Sequence, residues 1–211
     1  MIKNPLMSVL IATLDLEGVF LPEIWINVAE KTGIKELRLT TRDISDYDVL
    51  MKKRLGILEQ NGITIHDIQN VIATLKPLPG ANDMLDWLKA RFPVIILSDT
   101  FYDFAQPLMR QLDFPTLFCH SLEIDKDGRI TDYKLRMPDQ KRSSVLALKD
   151  LRFKVIAAGD SYNDTTMLMA ADAGILFKPP ANVIKDFPQF PVTNDYDELK
   201  AAFENAARQL S

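Results

Sequence analysis

The sequence predicts an α/β fold in which a doubly wound, parallel sheet carries helices on both faces. Short apolar runs alternate along the chain with segments of helical pattern, as is typical of parallel sheets with covering helices. The runs are almost continuously apolar, as strands buried on both faces are. Four of them end in polar residues, where open α/β sheets bind their ligands. Together these features predict a Rossmann-like core.

Five segments fit the description of a buried strand: residues 8–15, 93–99, 116–120, 154–160 and 173–177. The polar residues at the ends of the first four are Asp15, Ser98 with Asp99, His120, and Asp160. Because the carboxyl ends of parallel strands lie along one edge of a sheet, we expect these side chains to converge there. That edge is the predicted place of a functional site.

The interval between the first two strands is much longer than a crossover between parallel strands requires. Residues 21–78 contain no good strand pattern, and about fifty of them exceed the dozen or so that a crossover needs. Helices are predicted from Pro22 to Gly33 and over residues 45–62 and 64–75. We therefore predict a helical cap over residues 21–76, inserted into a catalytic core of residues 1–20 and 77–211. A shorter insert, a β-hairpin, is predicted around Asp127-Gly128.

Length, composition and charge limit the classes of protein. The chain has 211 residues, enough for one domain with an insertion, and its net charge of -4 argues against a nucleic-acid partner. The apolar run Met7–Leu14 is too short to span a bilayer and lacks a cleavage site, so we expect a cytoplasmic protein without a membrane partner. The single cysteine, Cys119, excludes an intrachain disulfide and is expected to pack in the core.

Asp15 and Glu17 form the first candidate site. Side chains alternate along a strand, so both carboxylates can point into the same pocket. There they repel each other unless they share a proton or a cation, and Mg²⁺ is a cation that carboxylates bind well. A lone Asp-x-Glu is more often a pair of solvated loop acids. Three further segments make a functional site the better interpretation of this pair.

The three segments supply a hydroxyl, a cation and two more acids. Ser98 ends the second strand and is suited to hydrogen-bond a phosphate oxygen. Lys141 precedes or begins a predicted helix, where a cation opposes the helix dipole, although a single lysine is more often simply exposed. Asp160 and Asp164 follow the fourth strand, and Gly159 relieves crowding beside them.

These segments together resemble the four motifs of the haloacid-dehalogenase superfamily of phosphatases. In chain order they are Asp15-x-Glu17-Gly18-Val19, Ser98-Asp99-Thr100, Lys141, and Gly159-Asp160-x-x-x-Asp164. The resemblance covers nearly the whole chain, including the helical cap between the first and second motifs. It implies that Asp15 attacks phosphorus and becomes an aspartyl phosphate, and that Glu17 protonates the leaving oxygen and then activates water. Ser98 and Lys141 would hold the phosphoryl oxygens.

The resemblance also implies a Mg²⁺ cofactor. Asp160 would bind it together with Asp15 and the main-chain carbonyl of Glu17, and Asp164 would support this shell. A receiver-like signalling domain also uses a phosphorylated aspartate, magnesium and a lysine, but it has no long cap after its first strand. The cap therefore favours a phosphatase over a receiver.

Within the superfamily the chain is similar to phosphoserine phosphatases, and above all to the branch that also transfers the phosphoryl group to homoserine. The segments "DLEGVFLPEIW", "LKPLPGA", "ILSDTFYDFAQPLMRQL" and "GDSYNDTTML" carry this resemblance. It implies that Glu23 contacts the amino group and Arg54 the carboxylate of phosphoserine. The alternatives are an acid favoured by a helix dipole for Glu23 and a solvated helix face for Arg54.

The remaining candidates carry less weight. Asp99 is grouped with the residues that bind the substrate or its phosphate, and so is Asn163, which could instead cap the helix that follows it. Core packing is favoured over pocket lining for Phe20 and Trp25, and neither His66 nor His120 is predicted to be a ligand.

The sequence thus predicts a Mg²⁺-dependent phosphatase of phosphoserine, with transfer to homoserine as a second reaction that the resemblance allows. The alternative is a phosphatase of another small phosphorylated metabolite, because the cap sets specificity and is the least diagnostic part. The small-molecule substrate, with homoserine as acceptor, is the expected partner. The sequence is compatible with either a monomer or a homodimer.

Overall fold

The computed structural model describes residues 9–40, 43–44 and 46–211. Within these ranges the chain forms a seven-stranded sheet in the order β4-β3-β2-β1-β5-β6-β7, and β4 alone runs antiparallel to its neighbour. The predicted mostly parallel α/β fold is confirmed. The strands are β1 (Val9–Leu14), β2 (Val94–Phe101), β3 (Leu117–Ile124), β4 (Ile130–Lys134), β5 (Phe153–Gly159), β6 (Ala173–Phe177) and β7 (Val192–Thr193).

Two features of the sheet differ from the prediction. β3 continues four residues past His120, because its first half pairs with β2 and its second half pairs with β4. The hairpin at Asp127-Gly128 therefore extends the edge of the main sheet instead of standing apart from it. β7 was not predicted, since two residues are too few for a sequence pattern. The first residue of the first predicted strand, Ser8, lies outside the described residues.

Helices fill the interval between β1 and β2, as predicted. They are α1 (Ile24–Thr32), a 3₁₀ turn (Lys35–Arg38), α2 (Tyr47–Gln60) and α3 (Ile65–Ala73). α1 begins two residues after Pro22, because Leu21 still forms a β-bridge with Glu17, and it ends directly before Gly33; this agrees with the predicted helix, which has Pro22 near its start and Gly33 just past its end. Ser45, the predicted start of the second helix, lies outside the described residues. The division of the chain at residues 21 and 76 stays a prediction, and we call residues 21–76 the cap.

The hairpin supports the cap from the core side. The hydroxyl of Tyr133 donates to Asp48 Oδ1 at 2.6 Å, and the backbone N–H of Ile65 donates to the carbonyl of Gly128 at 2.8 Å. These two bonds join β4 to α2 and the β3–β4 turn to α3. The hairpin therefore fixes the position of two cap helices over the sheet.

The other helices cover both faces of the sheet: α4 (Ala81–Lys89), α5 (Tyr102–Met109), α6 (Gln140–Asp150), α7 (Thr165–Ala170), α8 (Ala181–Asp186) and α9 (Tyr196–Leu210). Successive residues of one strand belong to separate buried clusters, with Ile11 and Val155 in one, and Ala12 and Ile156 in the other. This is the two-sided burial that the continuous apolar runs indicated. Cys119 is buried, as predicted, and so are Phe20 and Trp25.

The described residues include no helix that combines the length and the apolar character needed to cross a bilayer.

Candidate active site

Three adjacent strands bring the predicted site residues to one edge of the sheet. β1 lies between β2 and β5, so Asp15 after β1, Ser98 in β2 and Asp160 after β5 become neighbours. The backbone N–H of Asp15 donates to the carbonyl of Ala158 at 3.0 Å, which continues the β1–β5 pairing up to the site. The convergence expected at the carboxyl edge is observed.

A cavity of about 230 Å³ lies between this edge and the cap. Most of the predicted site residues line it, namely Asp15, Glu17, Glu23, Arg54, Ser98, Asp99, Asp160 and Asn163. Lys141 and Asp164 are not among its lining residues, because they are buried behind Asp15 with exposures of 2% and 0%. The structure therefore brings all ten predicted residues together, in two layers.

Lys141 is the centre of the deeper layer. Its Nζ lies 2.7 Å from Asp164 Oδ1, 3.0 Å from Asp15 Oδ1 and 3.7 Å from Asp99 Oδ2. Burial disfavours the ammonium form, but the three carboxylates outweigh it and raise the pKa of Lys141 well above its ordinary value. Lys141 lies within the first turn of α6, as predicted, and these acids offset the unfavourable helix dipole there.

The acids still outnumber the lysine. Burial is the main cause that raises the pKa of Asp15, and the charges of Asp164, Asp160 and Asp99 add to it against the opposing effect of Lys141. Oxygens of Asp15, Asp160 and Asp164 lie within 4.8 Å of one another. Such a set of hard oxygen donors with excess negative charge fits a divalent cation such as Mg²⁺.

Within this set, the hydrogen bonds of Asp164 give it a supporting place. Its Oδ1 accepts from Lys141, and its Oδ2 accepts from the N–H groups of Asp160 and Ser161 at 2.9 and 3.0 Å. Both oxygens are thus engaged with the protein, and the loop that carries Asp160 is fixed by them.

Two glycines allow the acids to approach the backbone this closely. A Cβ at Gly159 would lie 2.4 Å from Cβ of Asp164, which agrees with the predicted relief of crowding. Gly18 was quoted only as part of a motif, yet it has φ +77° and a Cβ there would lie 2.5 Å from Cγ of Asp160. The loop after β1 therefore requires glycine both for its conformation and for the space that Asp160 occupies.

Glu17 faces the cavity and also holds the cap. Its Oε2 accepts a hydrogen bond of 2.7 Å from the N–H of Ile24, the first residue of α1, so Glu17 replaces a side-chain cap that Glu23 does not provide. Burial, followed by the charge of Glu23, raises the pKa of Glu17 to about 7, against the Ile24 hydrogen bond and Arg54. Glu17 can thus exchange a proton near neutral pH.

Arg54 is buried and not on a solvated helix face, so that alternative is wrong. Its guanidinium carbon lies 4.5 Å above the ring of Trp25, and one terminal nitrogen donates to the carbonyl of Leu39 at 2.7 Å. Burial lowers the pKa of Arg54 to about 10, so it is still a cation at neutral pH. Its Nε has no hydrogen-bond partner within the described residues. The guanidinium thus brings a positive charge to the wall of the cavity, where it suits a ligand with a carboxylate.

Asn163 is engaged with Asp99 and Ser161, and it does not cap a helix. Its amide nitrogen donates to Asp99 Oδ2 at 3.0 Å, and its oxygen accepts from the hydroxyl of Ser161. The capping box in this loop belongs to Ser161 and Asp164 instead. The predicted capping role of Asn163 is wrong.

Several lining residues were not predicted. Tyr47 lines the cavity and donates from its hydroxyl to the carbonyl of Asp99 at 3.2 Å. Core packing was favoured over pocket lining for Trp25, but this residue both packs in the core and lines the cavity. The other unpredicted lining residues are Ile26, Thr40, Leu50, Thr100, Ser161 and Tyr162. Those on the cap have no motif of their own, because the packing of α1 and α2 brings them to the site.

Comparison with known proteins identifies the family. Residues 15–172 match the family model described as haloacid dehalogenase-like hydrolase. The chain belongs to the haloacid dehalogenase-like hydrolases. The resemblance seen in the four motifs is thereby confirmed, and the match extends from Asp15, directly after β1, to the residue before β6.

Among relatives, phosphoserine phosphatase ThrH of Pseudomonas aeruginosa is 64% identical over 202 residues, which are 95% of this chain and 98% of that protein. A phosphoserine phosphatase of Pseudomonas syringae pv. tomato is 63% identical over 96% of this chain and 85% of its own length. A solved phosphoserine phosphatase from T. onnurineus has a TM-score of 0.72 at 24% identity, over 94% of this chain and 96% of that chain. That structural likeness shows the fold.

The glycine requirement of this hydrolase can be tested with Gly18→Ala and a control, Gly33→Ala. Both glycines have left-handed backbones, with φ +77° and +74°, but a Cβ at Gly33 meets nothing within 4 Å. Each variant should lose about 1–2 kcal/mol of stability to the backbone. Only Gly18→Ala should displace Asp160, and we expect its Mg²⁺ affinity and activity to fall roughly 10- to 100-fold. Thermal unfolding with and without Mg²⁺, and a Mg²⁺ titration of activity, measure both effects. Equal losses in the two variants would remove the role of Gly18 in the acid cluster.

Proposed function

We propose that the chain is a Mg²⁺-dependent phosphatase that hydrolyses phosphoserine through an aspartyl phosphate on Asp15. One observation carries the proposal: Asp15, a buried carboxylate with the buried ammonium of Lys141 bonded behind it, forms the floor of a cavity that the buried Arg54 also lines. The floor suits a phosphoryl group and the arginine suits the carboxylate of an amino acid. The names of the two Pseudomonas relatives support the same substrate.

The first chemical step would place the phosphoryl group on Asp15. A carboxylate oxygen of Asp15 forms a bond to phosphorus while the bond to the serine oxygen breaks, and Glu17 donates its proton to that oxygen so that serine leaves. The ammonium of Lys141 and the hydroxyl of Ser98 hold the phosphoryl oxygens. A pKa of about 7 gives Glu17 a large protonated fraction at neutral pH for this step.

The second step would release phosphate. Glu17, now ionised, takes a proton from a water molecule whose oxygen attacks phosphorus and displaces the carboxylate of Asp15. Asp15 and Asp160, together with the main-chain carbonyl of Glu17, would hold Mg²⁺, which when bound neutralises the charge of the phosphoryl group and of the acids. Asp164 would keep Asp160 and Lys141 in place through its three hydrogen bonds.

Glu23 and Arg54 would select the amino-acid end of the substrate. The guanidinium of Arg54 is held by the ring of Trp25 and the carbonyl of Leu39, so its positive charge can meet a carboxylate with little further ordering of the side chain. Glu23 lines the same cavity and supplies a negative charge for an ammonium group. The small volume of the cavity favours a metabolite over a macromolecular substrate.

Phosphate release from a panel of esters tests the proposed function. Phosphoserine should be hydrolysed faster than phosphoethanolamine, which lacks the carboxylate, and glycerol phosphate, which lacks both charged groups. Excess chelator should stop the reaction and Mg²⁺ should restore it, because the acids repel one another and the phosphate. Asp15→Asn should be folded and inactive. Activity in excess chelator or in folded Asp15→Asn would contradict the mechanism, and a faster ester of another kind would favour the alternative metabolite phosphatase.

The specificity assignment predicts separate effects on two substrates. Glu23→Gln and Arg54→Lys should raise KM for phosphoserine much more than for glycerol phosphate, because a lost buried charged contact typically costs about 2–5 kcal/mol. Arg38→Ala is the matched control, since Arg38 also lies between β1 and β2 but forms an exposed ion pair with Glu30. It should leave both KM values unchanged. If KM rises equally for the two substrates, Glu23 and Arg54 do not determine specificity for the amino-acid end.

Transfer to homoserine is a second candidate reaction, and the length of Glu17 bears on it. Most members of the superfamily place aspartate at this position, whereas the longer Glu17 reaches the N–H of Ile24 in the cap. We propose that the extra methylene also leaves room for an alcohol acceptor larger than water at the aspartyl phosphate. Glu17→Asp should keep hydrolysis but lower the ratio of transfer to hydrolysis when homoserine is present. Product partitioning by NMR checks this, and thermal unfolding reports loss of the Ile24 hydrogen bond. An unchanged ratio with lowered stability would assign the methylene to the cap contact alone.

A further inference from the structure

Asp99 is badly suited to contact phosphate directly, although the sequence grouped it with the phosphate-binding residues. Burial opposes its ionisation, but Lys141, His120 and Asn163 together hold the pKa of Asp99 well below its usual range. It is therefore an anion beside the place of a phosphoryl group, where like charges repel. Its contacts are with other site residues: Lys141 Nζ at 3.7 Å, Asn163 Nδ2 at 3.0 Å and Gln140 Nε2 at 3.5 Å.

His120 is the next residue along this series of contacts. It is 4% exposed and lies opposite Phe101 in the β2–β3 register, one side of the ring facing Asp99. Its Nδ1 accepts a hydrogen bond of 3.1 Å from the backbone N–H of Arg136, so Nδ1 carries no proton. The proton of a neutral ring is then on Nε2, which lies 3.6 Å from Asp99 Oδ1. The backbone of Arg136 thus directs a positive ring edge at the Asp99 carboxylate.

Asp99 needs such a restraint because it has space to move into. Its side chain is 31% exposed, and it also borders a second cavity of about 720 Å³ on the far side of the Asp99–Asn163 pair. His120, Gln140 and Lys141 line this second cavity as well. A carboxylate that turned toward it would leave Lys141 with two acidic partners in place of three. The amide of Asn163 would also lose its acceptor.

We infer that His120 is a positioning residue for the reaction: through Asp99 it holds Lys141 and Asn163 in the places where they meet the phosphoryl group. This rests on the proposed phosphatase function, and its role is distinct from that of a ligand or a proton carrier. His120 touches neither Asp15 nor the cation-binding acids in the contacts described above. The two ring nitrogens of His120 therefore have different roles. Nδ1 accepts a hydrogen bond from the backbone of Arg136, and Nε2 faces the carboxylate of Asp99.

Two variants separate these tasks. His120→Asn keeps an acceptor near the Nδ1 position for the N–H of Arg136 but cannot reach Asp99. His120→Gln keeps a donor near the Nε2 position for Asp99 and gives up the bond to Arg136. If His120 positions the site, His120→Asn should lower kcat for phosphoserine roughly tenfold and weaken inhibition by inorganic phosphate to a similar extent, whereas His120→Gln should stay near the parent. KM for phosphoserine should rise by no more than the inhibition constant of phosphate does, because Glu23 and Arg54 are untouched.

A purely structural role gives different results. Both variants would then lower the unfolding temperature, while kcat per folded molecule and the inhibition constant of phosphate would stay at parental values. That outcome would overturn the inference, and so would equal losses of kcat in the two variants. His120→Phe keeps the ring packing on Phe101 and removes both nitrogens, and it should behave like His120→Asn. It tests the same expectation if the asparagine variant does not fold.

A double-mutant cycle with Asp99→Asn tests the route through Asp99. His120→Asn should have no further effect on kcat when Asp99→Asn is already present, because the group that it restrains no longer carries a charge. Additive losses would overturn the inference. If neither the parent protein nor any variant hydrolyses phosphoserine, it is the proposed function that is wrong. The affinity for inorganic phosphate still reports whether His120 and Asp99 act together on an anion site.

Discussion

The active site and its surroundings depend on the buried ammonium of Lys141 and the carboxylates of Asp15 and Asp164 on either side of it. Removing a charged group from water costs several kcal/mol, and here each group is tolerated only because the others lie within hydrogen-bond distance. Deleting one partner would leave the rest uncompensated. The ends of β1 and β5, the start of α6 and the missing side chain at Gly159 all serve to bring these charges together.

The cap is joined to the site through Glu17, the proposed acid and base. Glu17 accepts from the first N–H of α1, and Arg54 of α2 opposes the rise in the pKa of Glu17. A displacement of α1 would therefore alter both the position and the proton affinity of Glu17. The hairpin, bonded to α2 and α3 through Asp48 and Ile65, resists such a displacement. Specificity and proton transfer are thus properties of one connected unit.

The parts of the fold and site that could be predicted from the sequence are those that a short stretch of residues determines. Apolar runs define the strands, and acids at their ends define the floor of the site, because the carboxyl edge of a parallel sheet is a single place. Tyr47 and the contacts of His120 depend on how α2 and β3 pack, which no short pattern records. The exact first residue of α1 is likewise set by contacts that no short pattern records. A bridge from Leu21 and a cap from Glu17, a residue outside the helix, decide where it begins.

The charges of the site explain why an anion such as Asp99 is tolerated beside a phosphoryl group. Lys141 faces Asp15, Asp164 and Asp99, and Asp160 lies close to the first two, so three carboxylates surround one ammonium and a fourth adds its charge. A dianionic ester entering that field would be repelled unless a divalent cation had reduced it. In the proposed mechanism, cation and substrate would therefore favour each other's binding. Asp99 would then cost little and would hold Lys141 in place while the phosphoryl group passes from the ester to Asp15 and on to free phosphate.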